Sequence, residues 1–300
     1  MKRAALIVGV LVVLLGGAYA YFLRSTVELP TDCAWKLDLG KVRALAGSLP
    51  GDRVHEIRFE HVTTLRMPRA IIVTGGPWEM SNMAVYAYQF VFPDGTLVVD
   101  TAMSKAQAEH VAMYDEAAWN RLAQGLKSAT AIYVTHEHMD HLGGLVAMQE
   151  SPEVVAHAHP NPAQLANKDA LKPAAFKPDV ASRLVTVDPG EMKAVAPGMV
   201  LIAAPGHTVG SQMVYVQRDD GTEYIFTGDT AWHVENIDKV REPPHLAQQV
   251  MHSDLTNQVC QLNALHQLAV QEPKVHVVPG HDEERVAELV SDRLLTPRFR

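Results

Sequence analysis

Cysteine is scarce in this chain: Cys33 and Cys260 are the only two among 300 residues. Neither lies in a metal-ligand spacing, which excludes a cysteine-based metal site. In an oxidising compartment the two thiols would pair and tie the N-terminal part to a late helix; as unpaired thiols they would stand apart. Sequence separation alone leaves both readings open. Basic runs are also missing. The formal net charge is -8, and with no cationic stretch to offset it a nucleic-acid partner is excluded. The acidic excess reads as a solvated surface. There is no internal repeat and no low-complexity tract. With 47% hydrophobic and 20% charged residues the composition is globular. About 270 residues remain after the first thirty or so, which suits one large domain or two small ones.

The apolar content is unevenly spread. Met1-Lys2-Arg3 is a short positive segment, and Ala4 to Leu23 is then unbroken apolar sequence closed by Arg24. A run of roughly 20 residues is long enough to cross a bilayer as a helix. The positive end should stay in the cytoplasm, so the remainder should be exported. Two export readings follow. An uncleaved run is an inner-membrane anchor with the domain outside the cytoplasm, as in a periplasm. Cleavage at the small-x-small site Ala18-Tyr19-Ala20 would instead release a secreted or periplasmic protein. We divide the chain into a signal anchor or signal peptide at 1–24, an N-terminal extension at 25–69 and a catalytic domain at 70–300.

Leu37, Val42, Leu45 and Leu49 predict a short helix ended by Pro50-Gly51, and Arg53 to Leu65 a strand. Beyond residue 70 the pattern is strand-rich. Strands are expected at Ile71 to Val73, Met83 to Phe92, Leu97 to Val99, Ala131 to Val134, Val154 to Ala156, Val200 to Ala203, Met213 to Val216, Tyr224 to Phe226 and Val275 to Val278. Pro93-Asp94-Gly95 and Asp219-Asp220-Gly221 carry hairpin signals. Helices are expected at Ala106 to Leu126, Pro162 to Asn167, His245 to Val270 and Asp282 to Leu294, and an irregular loop at Lys172 to Pro178.

The chemistry is concentrated in Thr135-His136-Glu137-His138-Met139-Asp140-His141. Imidazole and carboxylate are good ligands for zinc and similar ions. Four such groups within six residues exceed what one ion usually takes from so short a segment, so the crowding suggests two adjacent metals. Asp100, His136, His207, Asp229 and His281 each follow an apolar strand-like run. Strands ending on one sheet edge would gather them, with loops carrying the chemistry on a rigid support.

The ordered motifs are Val98-Val99-Asp100-Thr101, the histidine run, Ala204-Pro205-Gly206-His207-Thr208, Thr227-Gly228-Asp229-Thr230 and Val278-Pro279-Gly280-His281. Over roughly residues 70 to 285 this set resembles the metallo-β-lactamase-fold hydrolase superfamily. The resemblance implies an α/β fold, an αββα sandwich with the metal site at one edge. It assigns His136, His138 and His207 to a first divalent metal and Asp140, His141 and His281 to a second, with Asp229 bridging. Zinc is the default ion, and iron and manganese are the alternatives. Asp100 would orient ligands rather than bind metal. The bridging aspartate resembles the glyoxalase-II, lactonase and esterase branches more than true β-lactamases. Gly210-Ser211 departs from the Gly-His that often follows in glyoxalase II.

The resemblance thus implies a small-molecule ester, lactone or thioester attacked by a metal-bound hydroxide, with Asp140 orienting the nucleophile or taking its proton. Trp232 and His233, close after Asp229, are candidate substrate contacts. Other readings are a β-lactamase-like amide hydrolase, a diiron oxidoreductase and a non-catalytic metal-binding protein.

Overall fold

The computed structural model describes residues 2–166 and 176–300. Most of the loop expected at 172–178 therefore lies outside the described residues. The apolar N-terminal run forms α1 (Lys2–Tyr19), which continues as one π-helical turn, Ala20–Arg24. An extended stretch then leads to α2 (Leu39–Ala46), capped by Asp38, whose side chain accepts from the Lys41 amide. Next come β1 (Glu56–Pro68), α3 (Arg69–Ile72), β2 (Met80–Phe92), β3 (Gly95–Val99), β4 (Met113–Tyr114), α4 (Glu116–Ser128) and β5 (Ala131–Tyr133). Helices α5 (Met139–Ala147), α6 (Pro152–His157), α7 (Pro162–Ala166) and α8 (Pro178–Ala181) follow. The second half holds β6 (Met192–Ala196), β7 (Met199–Ala203), β8 (Gln212–Gln217), β9 (Glu223–Phe226), α9 (Val234–Asp238), α10 (His245–Met251), α11 (Leu255–Gln271), β10 (Val275–Val278), α12 (Glu283–Ser291) and β11 (Thr296–Pro297).

The strands form two sheets. One has the order β11-β1-β2-β3-β5, with β4 beside β1; the other has the order β10-β9-β8-β7-β6. Their inner faces meet through Phe90, Tyr88, Val99, Leu201, Val214 and Phe226. Alternation along each strand sends the remaining side chains outward. There Val85, Val98 and Ile132 pack under Leu122 and Leu126 of α4 and Leu145 of α5, while Ile202, Tyr215 and Ile225 pack under Leu262 and Leu265 of α11 and Val42 of α2. This is the expected αββα sandwich. Burying each large side chain contributes about 1.5–3 kcal/mol.

Several elements depart from the pattern reading. Ile71-Ile72-Val73 is not a strand: residues 69–72 make one helical turn after Pro68, which drives Ile72 and Val73 into a cluster with Met83 and Trp232. The helix expected from Ala106 starts at Glu116. Asp115 caps it by accepting from the Ala118 amide at 2.9 Å, and the residues just before, Met113–Tyr114, pair with β1 instead. Val154 to Ala156 is helical, because Pro152 opens a turn that periodicity over three residues cannot distinguish from a strand. The long C-terminal helical pattern is two helices, α10 and α11. His252 turns left-handed at φ 55 and Asp254 caps the next helix. The β6–β7 hairpin was not expected; its signal was Pro197-Gly198, with Gly198 at φ 81.

Cys33 and Cys260 form a disulfide, with Cα atoms 5.6 Å apart. It ties the extended segment before α2 to the second turn of α11.

Candidate metal centre

Each strand that leads to a candidate ligand ends at the same edge of the sandwich. β3 delivers Asp100, β5 delivers the histidine run, β7 delivers His207, β9 delivers Asp229 and β10 delivers His281. The run itself turns from β5 into the start of α5, so His138 stands before the helix while Asp140 and His141 lie in its first turn. Close approach makes this turn work. A Cβ on Gly144 would sit 2.1 Å from the Thr101 carbonyl oxygen, so only glycine lets α5 press against the segment after β3. Asp229 lies in a 3-10 turn, Gly228–Thr230, opened by Gly228 at φ 50.

The ligands converge in two groups: His136, His138, His207 and Asp229 in one, Asp140, His141 and His281 in the other. In the first, His138 Nδ1 lies 3.0 Å from His136 Nε2 and 2.9 Å from His207 Nε2. One ring nitrogen has a single proton or a single lone pair, so it cannot satisfy both neighbours. We read three ring nitrogens aimed at one point. In the second, Asp140 Oδ2 lies 3.7 Å from His141 Nε2 and 3.5 Å from His281 Nε2. Asp229 joins the groups. Its Oδ1 lies 3.2 Å from His141 Nε2 and 3.1 Å from His281 Nε2, while its Oδ2 lies 3.3 Å from His207 Nε2, 3.6 Å from His136 Nε2 and 3.3 Å from His281 Nε2.

All of these side chains are buried except Asp140, which is 16% exposed. Burial pushes His136 and His138 down and takes His207 to about 3, so that neutral imidazoles face the first point. Burial also opposes charge on His141, but Asp229, Asp100 and Asp140 outweigh it and hold that ring raised. Burial alone would raise the Asp229 carboxyl; His281, His141 and His136 reverse this and hold it well below the usual range. Two atoms inside the centre, His141 Nε2 and Asp229 Oδ1, are buried with no hydrogen-bond partner among the described residues. Leaving such atoms unmet costs about 1–3 kcal/mol each. Nitrogen and carboxylate donors, convergent and otherwise unsatisfied, fit two divalent cations with Asp229 shared between them.

A set of outer contacts holds the ligands. Asp100, itself left-handed at φ 62, accepts from His141 Nδ1 at 2.8 Å and from the Thr135 amide at 2.7 Å. His281 Nδ1 donates to the Ala84 carbonyl at 2.9 Å. Trp232 Nε1 donates to Asp229 Oδ2 at 2.8 Å, so this buried indole grips the bridging carboxylate. His233 caps α9 and faces Asp282 at 3.4 Å; it also borders a polar cavity of about 480 Å³ with Arg66, Arg69 and Asn82.

Sequence reasoning missed four supports. Gln258 donates to the Asp229 and Thr230 carbonyls, Gln261 to the Pro205 carbonyl, and Ser253 to the His207 carbonyl. Buried Glu137 accepts from Thr208 at 2.8 Å. Glu137 alone carried a signal, as an acid inside the histidine run. The glutamines matter only through a helix docked over both loops.

Fold and centre together define an α/β sandwich with a two-group histidine and aspartate site. The family model for the metallo-beta-lactamase superfamily matches residues 77–281. The chain belongs to that superfamily and is a hydrolase of it. An N-acyl homoserine lactonase of a Bacillus species is 24% identical over 180 residues, covering 54% of this chain and 70% of that protein. A hydroxyacylglutathione hydrolase of Yersinia pestis (strain Pestoides F) is 32% identical over 111 residues, 36% of each chain. Among solved structures, a quorum-quenching N-acyl homoserine lactone lactonase aligns with a TM-score of 0.62 at 18% identity, over 78% of this chain and 94% of that one. AidC, a dizinc quorum-quenching lactonase in complex with a product, aligns with a TM-score of 0.55 at 14% identity, over 77% and 90%. At these identities the structural likeness carries the fold alone.

Proposed function

We propose that the protein is a binuclear metallohydrolase that opens lactones or cleaves related esters and thioesters, with zinc as its metal. The observation that carries this reading is the placement of Asp229 between the groups, with Oδ1 beside His141 and His281 and Oδ2 reaching His207 and His136 as well as His281. Divalent ions bound there would supply Lewis acidity to a carbonyl and bring the pKa of water toward neutrality. The chain does the rest. Asp229 fixes the spacing of the two groups. Asp100 and the Ala84 carbonyl set the ring orientations of His141 and His281, so that each presents Nε2 to the centre. Asp140 is the ligand with solvent access, which suits it to hold or pass a proton at its carboxylate. Similarity to homoserine lactonases over 54% of the chain supports the lactone class.

We also infer that residues 5–24 anchor the protein in a membrane, with the domain outside the cytoplasm. This segment is 20 residues long, has a mean hydropathy of 2.4 and is 0% buried, and a positive segment precedes it. The Cys33–Cys260 disulfide supports an oxidising compartment.

The test is a pH-stat assay of the zinc-loaded protein with lactones, simple esters, thioesters and β-lactams. Chelator-sensitive acid release, fastest with a lactone, is the expected result. Fastest turnover of a β-lactam would move the assignment to amide hydrolysis, and release from none of them would remove the carbonyl hydrolase.

A further inference from the structure

The apolar N-terminal helix does not leave the domain through a free linker. Its last turn is already docked. Tyr21 stacks on His245 with ring centroids 4.9 Å apart, Trp78 Nε1 donates to the Tyr19 hydroxyl at 3.2 Å, and Arg24 donates to the Gly75 carbonyl at 3.2 Å. Twenty helical residues rise about 30 Å, the thickness of a hydrocarbon core. A helix that spans from residue 5 therefore puts Tyr21 to Arg24 at the membrane interface, and with them whatever they touch.

Beside these contacts large apolar side chains lie uncovered, with Glu79 and Gln249 exposed among them. Trp78 is 51% exposed and Met80 in the same segment equally so. On α10, which begins at His245, Leu246 is 42% and Val250 57% exposed. Tyr19, Tyr21 and Trp78 form the aromatic group that favours the boundary between lipid and water, with an apolar body and a polar tip. We propose that the 75–80 segment and α10 form a bilayer-contact surface, continuous with the anchor, that seats the domain on the lipid rather than suspending it above.

This rests on the anchor reading and deepens it. Helix α10 is short, about 10 Å long, and its far end reaches the metal centre. Met251 packs with Trp232, which holds Asp229, and Ser253 holds the His207 loop. The centre thus stands one short helix from the lipid. That position suits a substrate whose apolar tail stays in the leaflet while its carbonyl is hydrolysed.

The full chain, reconstituted in palmitoyl-oleoyl phosphatidylcholine vesicles, tests this when part of the lipid is replaced by phosphatidylcholine brominated on its acyl chain. Flotation separates the two readings. The expected result is a floating protein whose tryptophan emission falls with bromolipid, loss of that fall in Trp78→Phe, and its return when Leu246→Trp is added to Trp78→Phe. A floating protein with no bromolipid quenching at either position overturns the surface and leaves the anchor standing. A protein that does not float overturns the anchor, and the surface with it.

Discussion

At the scale of single residues, the centre depends on a few polar contacts made among buried groups. Asp140 supplies a carboxylate to the second ligand group, beside His141 and His281. Asp140→Ala should abolish turnover and leave the far-UV circular dichroism nearly unchanged, because Asp140 is the partly exposed member of the ligand set. A fully active variant would remove the binuclear mechanism. Trp232 acts one contact further out. Its indole N–H is the donor that fixes Asp229 Oδ2, and phenylalanine keeps the bulk without the donor. Partners of ligating groups typically contribute 10–100-fold to metal affinity or activity. Trp232→Phe should therefore weaken zinc binding by about 10-fold or more in competition with a chelating dye. Unchanged affinity would assign Trp232 to packing alone.

At the scale of elements, helix α2 is fastened to the β10-β9-β8-β7-β6 sheet by charge as well as by Val42 and Ala46. Arg43 donates to Glu223 on β9 through two nitrogens, at 2.8 and 2.7 Å, and also to Glu272. The Arg43 hydrogen bonds hold the Glu223 carboxyl below its usual range. A carboxylate depressed in the folded state adds stability above its unfolded pKa, about 4.3, and that contribution is lost as pH falls through the folded value. Arg43 is 38% exposed, so screening limits the pair to about 1 kcal/mol. Urea unfolding of Glu223→Gln should show this deficit near pH 7 and a closing gap with wild type below about pH 4. A gap that stays constant to low pH would mean that the substitution acts through packing. The same scale explains the pattern-reading errors. Three apolar residues at 71–73 or 154–156 suit a strand or a helical turn equally, and Pro68 and Pro152 with their tertiary neighbours decided for the turn.

At the scale of the whole molecule, the metal centre is also a fastening. Its ligands come from both sheets: His136, His138, Asp140 and His141 follow β5, while His207, Asp229 and His281 follow β7, β9 and β10. Ions held there would clamp the sheets together at one edge. Binding to the folded state alone adds about 4 kcal/mol when free metal stands at a thousand times the dissociation constant. Chelator treatment should lower the thermal midpoint of the protein, and zinc should restore it. Equal midpoints with and without metal would mean that the described site is not where zinc binds.

The sequence alone determined the ligand types, their order and the strands that precede them. Those features are local: four donors in one short run, glycines before His207 and His281, and apolar stretches that can only be buried. It also determined the membrane-length helix, through hydropathy. Tertiary structure decided what depends on distance. It brought Cys33 to Cys260, placed Asp229 between the two ligand groups, turned Trp232 inward onto that carboxylate, and set Gln258 and Gln261 over two loops from a stretch that sequence reads only as helical. The physical reason is that a donor's role is set by what lies within about 3 Å of it, and for these residues the partners are brought together only by the folding of the two sheets.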